Sequence, residues 1–316
     1  MTAWKFCSNK LSHTMTISTI FTRKAASLLI VLSFCIGLGA QEQTEVQRRC
    51  GYHTFKHGGV QREFYLYKPA GLAQDAPLVI CLHGYTGSAA NGKAALMDVA
   101  DRHGFAVCYP QGLQDPKGKS SWNVGYPSQE GMKTDDVDFI VKLSRHIARE
   151  FGLSRVNVFL TGMSNGGEMC YLTAQKKPKA FKAIASIAGL TLTNMMPLRY
   201  RKPVPFMEVH GTEDRTSEWT GDPENKGGWG AYLAVPVSIS YIVAANGCIS
   251  ETTTYLPVRE GGNQVILHHF QGGKPAWKGG PSADVLLYEV IGGNHSWSDK
   301  DMDTCEAVWA FFSRFL

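Results

Sequence analysis

Short apolar runs alternate with amphipathic segments of helical length along the chain from about residue 50 onward. Leu78–Leu82 and Phe105–Tyr109 are continuous apolar runs, which is the pattern of strands that are covered on both faces. The chain contains five further segments with strand-like patterning. They are Gln61–Tyr67, Val156–Thr161, Ala183–Ala188, Phe206–His210 and Val285–Ile291.

The segments between these runs have helical patterning. Asp135–Phe151 begins with acids and carries Arg145 and Arg149 near its end, an order that suits the helix dipole. Strands that alternate with helices predict an α/β fold, with a mostly parallel central sheet and helices on both faces. No segment has the length of a large cap domain. The other predicted helices are Gly92–His103, Gly166–Lys177, Val235–Asn246 and Met302–Phe315.

The first forty residues have the pattern of an export signal. Arg23 and Lys24 precede the apolar run Ala25–Ile36, and small residues follow up to Ala40. The run is short for a membrane span, so we expect no stable span in the mature chain, with an uncleaved anchor as the alternative. The pattern predicts a cleaved signal over 1–40, a secreted or periplasmic protein, and a single folded domain over 41–316.

The charge and the cysteine content of the chain bear on its possible ligands and on its disulfides. The formal charge of +5 comes mostly from four bases in the leader, so the body is nearly neutral and no nucleic-acid partner is expected. No cysteine and histidine spacing is typical of a metal site, and no metal or cofactor is expected. Cys81, Cys108 and Cys170 are predicted to be buried thiols, while Cys248 and Cys305 are the pair we would expect to be bridged.

The strongest chemical signal is Gly162-Met163-Ser164-Asn165-Gly166, which fits the G-x-S-x-G pattern between a predicted strand and a predicted helix. A nucleophile on such a sharp turn needs neighbours without side chains. The N-terminus of the following helix also directs its dipole and free N–H groups toward a developing oxyanion. Ser164 is therefore predicted to be a nucleophile.

A serine needs a base, and in this type of fold the acid and the histidine follow it in the chain. His295 follows the last predicted strand in a glycine-rich turn, which favours it over His210, His268 and His269. The acid is expected after Phe206–His210, where Asp214 is preferred and Glu213 is the alternative.

Two backbone donors are expected to hold an oxyanion. One is the N–H of Asn165, the residue after the nucleophile. The other should come from the loop after Leu78–Leu82, where the N–H of Tyr85 is preferred and that of Gly84 is the alternative. His83 is interpreted as a structural ring that bonds to nearby backbone.

Eight short motifs occur in one order along the chain, and together they resemble those of secreted α/β-hydrolase esterases. That group includes polyhydroxybutyrate depolymerases, feruloyl esterases and acetyl xylan esterases of the carbohydrate esterase family 1 type. The resemblance implies an α/β-hydrolase fold with Ser164, Asp214 and His295 as the catalytic triad, and it places Trp122 beside the active site. The motifs are Leu82–Gly84, Tyr109–Gly112, Ser121–Asn123, Asp135–Ile140, Gly162–Gly167, His210–Asp214, Asn246–Cys248 and Gly292–Trp297.

One departure from the resemblance concerns Tyr85, because depolymerase-like members usually carry a cysteine there.

Four tryptophans are expected to bind substrate, since indole rings stack on sugars or cinnamoyl rings. They are Trp122 and the loop residues Trp219, Trp229 and Trp297. The leading hypothesis is a serine esterase that removes feruloyl or acetyl groups from plant polysaccharide. A polyester depolymerase, a peptidase and a non-catalytic carbohydrate-binding scaffold are the alternatives.

Overall fold

A ten-stranded sheet organises residues 42–316, the part of the chain that the computed structural model describes. The predicted signal over 1–40 lies outside these residues. Along the sheet the strand order is β1-β2-β4-β3-β7-β8-β9-β12-β11-β10, and a separate two-stranded ribbon is formed by β5 and β6. The strands are β1 (Gly51–His57), β2 (Val60–Tyr67), β3 (Leu78–Leu82), β4 (Ala106–Pro110), β5 (Leu113–Gln114), β6 (Ser120–Ser121), β7 (Val158–Met163), β8 (Ile184–Ile187), β9 (Phe206–Gly211), β10 (Ser250–Tyr255), β11 (Val265–Gln271) and β12 (Val285–Val290).

The centre of the sheet is parallel and its two edges are antiparallel. Strands β4, β3, β7, β8, β9 and β12 pair in parallel, whereas β1–β2–β4 and β12–β11–β10 pair antiparallel. The mostly parallel sheet that the sequence predicts is thereby confirmed. Because parallel strands point the same way, the carboxyl ends of β3, β7, β9 and β12 meet at one edge of the sheet.

Six helices of the described residues cover the two faces of the sheet. The side chains of β3 alternate between the faces: Leu78, Ile80 and Leu82 belong to one core, and Val79 and Cys81 to the other. Apolar residues of α3, α4 and α5 complete the first core, and those of α2 and α6 complete the second. The helices are α1 (Glu45–Arg49), α2 (Ala95–His103), α3 (Asp136–Glu150), α4 (Asn165–Lys176), α5 (Val235–Asn246) and α6 (Thr304–Ser313).

The predicted Cys248–Cys305 bridge is wrong, because all six described cysteines are free thiols. The two residues belong to different sides of the sheet: Cys248 packs against the first core and Cys305 lies in the second. Cys81, Cys108 and Cys170 are buried free thiols, as predicted. No helix within residues 42–316 combines the length and the apolar character needed to cross a bilayer.

Candidate active site

Ser164 lies at a strained turn between β7 and α4. Its φ of 57° and ψ of −122° place the backbone in a region that residues with a side chain rarely occupy. A Cβ on Gly162 would lie 2.6 Å from the carbonyl oxygen of Gly166, and one on Gly166 would lie 2.7 Å from that of His83. The glycines of the G-x-S-x-G pattern are therefore required by crowding, and they allow the serine side chain to stay partly exposed.

Asp214 and His295 are joined by a hydrogen bond of 2.7 Å between His295 Nδ1 and Asp214 Oδ2. The other oxygen, Asp214 Oδ1, accepts bonds from the N–H groups of Thr216 and Ser217, both at 2.8 Å. Burial raises the pKa of Asp214, but the bond to His295 and the Ser217 N–H outweigh it, so this pKa lies below its ordinary value. The carboxylate is thus ionised and fixed in orientation.

The loops after β9 and β12 reach this contact because glycines let their backbones touch. A Cβ on Gly211 would lie 2.2 Å from the carbonyl oxygen of Gly293, and the N–H of Glu213 donates to that same oxygen at 3.0 Å. Glu213, the alternative acid, has an exposed side chain. The structure therefore brings Asp214, and not Glu213, to His295.

Ser164 and His295 line one cavity of about 270 Å³. Three aromatic rings form part of its wall, with ring centroids 5.3 Å apart for Tyr85 and Trp229, 5.4 Å for Tyr126 and Trp229, and 6.2 Å for Tyr85 and Tyr126. The Tyr85 hydroxyl donates to Asp115 Oδ2 at 2.7 Å, which fixes that ring. The other lining residues are Thr86, Glu168, Thr216 and Ser217.

The loop that carries the expected oxyanion donors lies directly against the serine. A Cβ on Gly84 would be 3.3 Å from Ser164 Cβ, so the backbone of Gly84 and Tyr85 passes beside the hydroxyl. Within the described residues, neither the N–H of Tyr85 nor that of Asn165 donates to a backbone carbonyl. Both groups belong to segments that adjoin Ser164.

Trp122 supports this loop from behind and does not line the cavity, so its predicted contact with substrate is corrected. The side chain is wholly buried, and its indole N–H donates to the His83 carbonyl at 2.9 Å. The backbone N–H of Trp122 donates to Asn165 Oδ1 at 2.7 Å, and the Asn165 amide donates back to the Trp122 carbonyl. Trp122 therefore holds the two expected oxyanion segments in register.

His83 is a structural ring, as predicted. Its Nε2 accepts the Gly112 N–H at 2.9 Å, so the proton lies on Nδ1, which donates to the Gly84 carbonyl at 2.7 Å. Burial lowers the pKa of His83 to about 4, which keeps the ring neutral. The ring thus ties the loop after β3 to the loop after β4.

Of the three loop tryptophans expected at the substrate, Trp229 lines the cavity with Ser164, whereas Trp219 and Trp297 do not. Trp219 packs edge-on against the His210 ring, with centroids 6.1 Å apart. Trp297 packs on the second core and lies under Lys93 Nζ at 5.3 Å. Both side chains are partly buried and neither borders the cavity that contains Ser164, so the structure does not bring these two predicted substrate-binding residues to that cavity.

Tyr126 and Glu168 line the cavity and were missed by the sequence analysis. Glu168 lies one helical turn after Ser164, a spacing that could have indicated it, while Tyr126 follows an irregular loop and has no such signal. Burial raises the pKa of Glu168 to about 7. Within residues 42–316, no three histidine, cysteine or acidic side chains are grouped as a metal ion would require.

Comparison with known proteins shows which families and structures this chain resembles. The profile of the family described as Esterase PHB depolymerase matches residues 62–200, a range that includes Ser164 and ends before Asp214. The bifunctional acetylxylan esterase/xylanase XynS20E of Neocallimastix patriciarum is 28% identical over 162 residues, which are 49% of this chain and 22% of that protein. Feruloyl esterase B of Neurospora crassa is 28% identical over 130 residues, 40% of this chain and 43% of that protein. The matched region thus spans less than half the length of these relatives.

A solved structure extends the likeness over most of the chain. The acetyl xylan esterase from Aspergillus awamori superposes with a TM-score of 0.60 at 14% identity, covering 84% of this chain and 99% of that one. At this identity the likeness shows the fold. The chain therefore has an α/β-hydrolase fold, and its predicted resemblance to the esterases that include polyhydroxybutyrate depolymerases, feruloyl esterases and acetylxylan esterases is confirmed.

Proposed function

We propose that this protein is a secreted serine esterase that removes feruloyl or acetyl groups from plant polysaccharide. One arrangement carries the proposal: Ser164 on its strained turn and His295, hydrogen-bonded to Asp214, line the same cavity. These residue types in this chain order suit nucleophilic acyl transfer. The names of the relatives supply the substrate class, and the pattern of residues 1–40 supplies the route of export.

The mechanism follows from the roles that each group is able to take. His295 accepts the Ser164 proton through Nε2, because its Nδ1–H is occupied by Asp214. The serine oxygen attacks the ester carbonyl, and the N–H groups of Tyr85 and Asn165 stabilise the oxyanion. The intermediate collapses as His295 protonates the departing alcohol, and a water activated by the same ring then hydrolyses the acyl-enzyme.

The aromatic wall favours feruloyl over acetyl as the acyl group. Tyr85, Tyr126 and Trp229 line the same cavity as Ser164, and an aromatic ring that packs on such a wall gains about 0.5–1.5 kcal/mol beyond the burial of area. An acetyl group is too small to contact all three rings. The description of the matching family keeps a polyester depolymerase as the second candidate, with the same triad.

The test is hydrolysis of methyl ferulate by the full chain, beside the variants Ser164→Ala and Ser240→Ala. Ser240 is an exposed serine on α5 that bonds only within its helix, which makes it a matched control. We expect ferulate release by the wild type and by Ser240→Ala, and a loss of at least 1,000-fold in Ser164→Ala. Release that survives Ser164→Ala contradicts the proposal. A folded wild type that cleaves only polyhydroxybutyrate film supports the second candidate, and one that cleaves no ester supports the binding scaffold.

A further inference from the structure

A row of ionisable side chains extends from the cavity into the core behind Asp214. His295 Nδ1 bonds to Asp214 Oδ2 at 2.7 Å, and the same oxygen lies 3.6 Å from Nε2 of His210. On the far side of that ring, His210 Nδ1 lies 3.0 Å from Glu208 Oε1. Glu208 is 0% exposed and His210 is 1% exposed, so no water screens these groups. Neither residue has a part in the mechanism given above.

The hydrogen-bond partners of His210 place a proton on Nε2 and set Nδ1 against a carboxyl group. Its Nε2 is 2.7 Å from the carbonyl oxygen of Ser217, which only accepts, so Nε2 carries a proton. Its Nδ1 faces Glu208 Oε1, an oxygen that already accepts the Gly189 N–H at 3.1 Å. Burial raises the pKa of Glu208, whereas the Gly189 N–H and the His210 ring favour its ionised form. An ionised Glu208 on one side and Asp214 on the other suit a positively charged His210 ring.

The charge and the position of this ring both act on Asp214. Burial lowers the pKa of His210, but the bond to Glu208 and the neighbouring charges outweigh it and hold this pKa above its ordinary value. The ring also binds the carbonyl of Ser217, whose N–H donates to Asp214 Oδ1. His210 thus fixes the loop that orients Asp214. Trp219 packs against the His210 imidazole.

We propose that His210, held positive by Glu208, is a positioning residue for the Asp214–His295 pair, acting through its charge beside Asp214 and through its bond to the loop that orients this acid. The inference rests on the proposed esterase function. The ionisable groups that face His210 are Glu208 and Asp214, with His295 beyond Asp214 and Glu168 beside Glu208. Because like charges repel, loss of the positive charge at His210 should make a positive charge on the neighbouring Asp214–His295 pair less costly.

Two variants separate the charge from the position of the ring. His210→Gln removes both the ring and its charge. Glu208→Gln keeps the ring and removes the neighbouring negative charge, which favours a neutral imidazole. The matched control is His268→Gln: His268 also lies between two carboxylates, Glu251 at 2.9 Å and Glu289 at 3.1 Å, but on β11 and outside the cavity.

The readout is the pH profile of kcat/KM for methyl ferulate, measured on variants whose melting shows that they fold. We expect the acid limb to move to higher pH by about one unit in both His210→Gln and Glu208→Gln, and to stay in place in His268→Gln. A lower kcat without movement of the acid limb in Glu208→Gln would indicate a merely structural histidine and overturn the proposal.

A second measurement holds even if the chain proves not to be an esterase. Nitrogen-15 NMR of the histidine rings reports the protonation of each nitrogen directly, with His210→Gln used to assign the signal. We expect both ring nitrogens of His210 to stay protonated to higher pH in the wild type than in Glu208→Gln. A His210 that titrates alike in the two proteins contradicts the proposal, whereas a folded wild type that hydrolyses no ester contradicts only the proposed function.

Discussion

At the scale of single residues, small and acidic side chains decide the geometry of the site. Gly211 and Gly293 let two loops touch, and this contact brings Asp214 within 2.7 Å of His295. The sequence indicated Ser164, Asp214 and His295 through a motif and a chain order. It could not separate Asp214 from Glu213, because the direction of a loop side chain depends on contacts made by a distant strand.

Asp214→Asn tests this assignment of the acid. The amide keeps the shape of the carboxylate but favours the wrong tautomer of His295, so we expect kcat to fall by about 10,000-fold. Glu213→Gln, one residue earlier and exposed, is the matched control and should keep wild-type kinetics. Steady-state hydrolysis of methyl ferulate provides the measurement. Comparable losses in the two variants would refute the selection of Asp214.

Trp229→Ala tests the aromatic wall. Losing one ring should lower kcat/KM for methyl ferulate about fivefold relative to that for p-nitrophenyl acetate, because the smaller acyl group does not reach the ring. Trp297→Ala removes an indole that packs on the second core, so this ratio should stay constant. Equal ratios for Trp229→Ala and the wild type would show that the wall does not select the acyl group.

At the scale of elements, backbone hydrogen bonds and a buried ion pair hold strands whose positions the hydrophobic pattern does not predict. Strands β1 and β10 were not predicted, since β10 is exposed along its whole length and β1 has only partly buried positions. Edge strands of this kind are held by backbone hydrogen bonds to the neighbouring strand. Such bonds leave no alternation of apolar residues in the sequence. Strand β2 is fixed to α3 by a buried ion pair, Arg62 to Asp136 at 2.9 Å, with the guanidinium over the Phe139 ring.

Arg62→Met should lower the free energy of unfolding by about 3 kcal/mol, because it leaves Asp136 buried without its charged partner. Lys142→Met removes an exposed pair with Asp138 on the same helix and should cost about 0.4 kcal/mol. Urea denaturation followed by circular dichroism measures both values. A loss in Arg62→Met as small as that in Lys142→Met would mean that the buried pair contributes little.

At the scale of the whole molecule, the alternation of strands and helices was enough to predict the parallel centre of the sheet. It did not predict which helices share a face, and that arrangement decides which cysteines can meet. Cys248 lies against the core formed with α3, α4 and α5, while Cys305 on α6 lies in the opposite core. Packing also decides the orientation of Trp122. Its motif predicted a place near the active site, but its side chain is buried in the core.

The separation of the cysteines predicts their chemistry in the unfolded chain. Iodoacetamide added in guanidinium without reductant should alkylate both Cys248 and Cys305, as mass spectrometry of their peptides would show. Burial raises the pKa of the Cys305 thiol to about 12, so the folded protein should react at this position far more slowly. Peptides of both cysteines that remain unmodified until a reductant is added would reveal a bridge and contradict the packing described here.

The most direct test of an acyl-enzyme at Ser164 is covalent trapping with a fluorophosphonate, followed by peptide mass spectrometry. Ser164 should gain one phosphonyl group per chain, since the activated serine loses its proton to His295 and attacks phosphorus, with the P–F bond broken and fluoride released. Labelling should persist in Ser240→Ala and fall sharply in Asp214→Asn. A chain that hydrolyses esters while Ser164 stays unlabelled, or that carries the label on another residue, would contradict the proposed nucleophile.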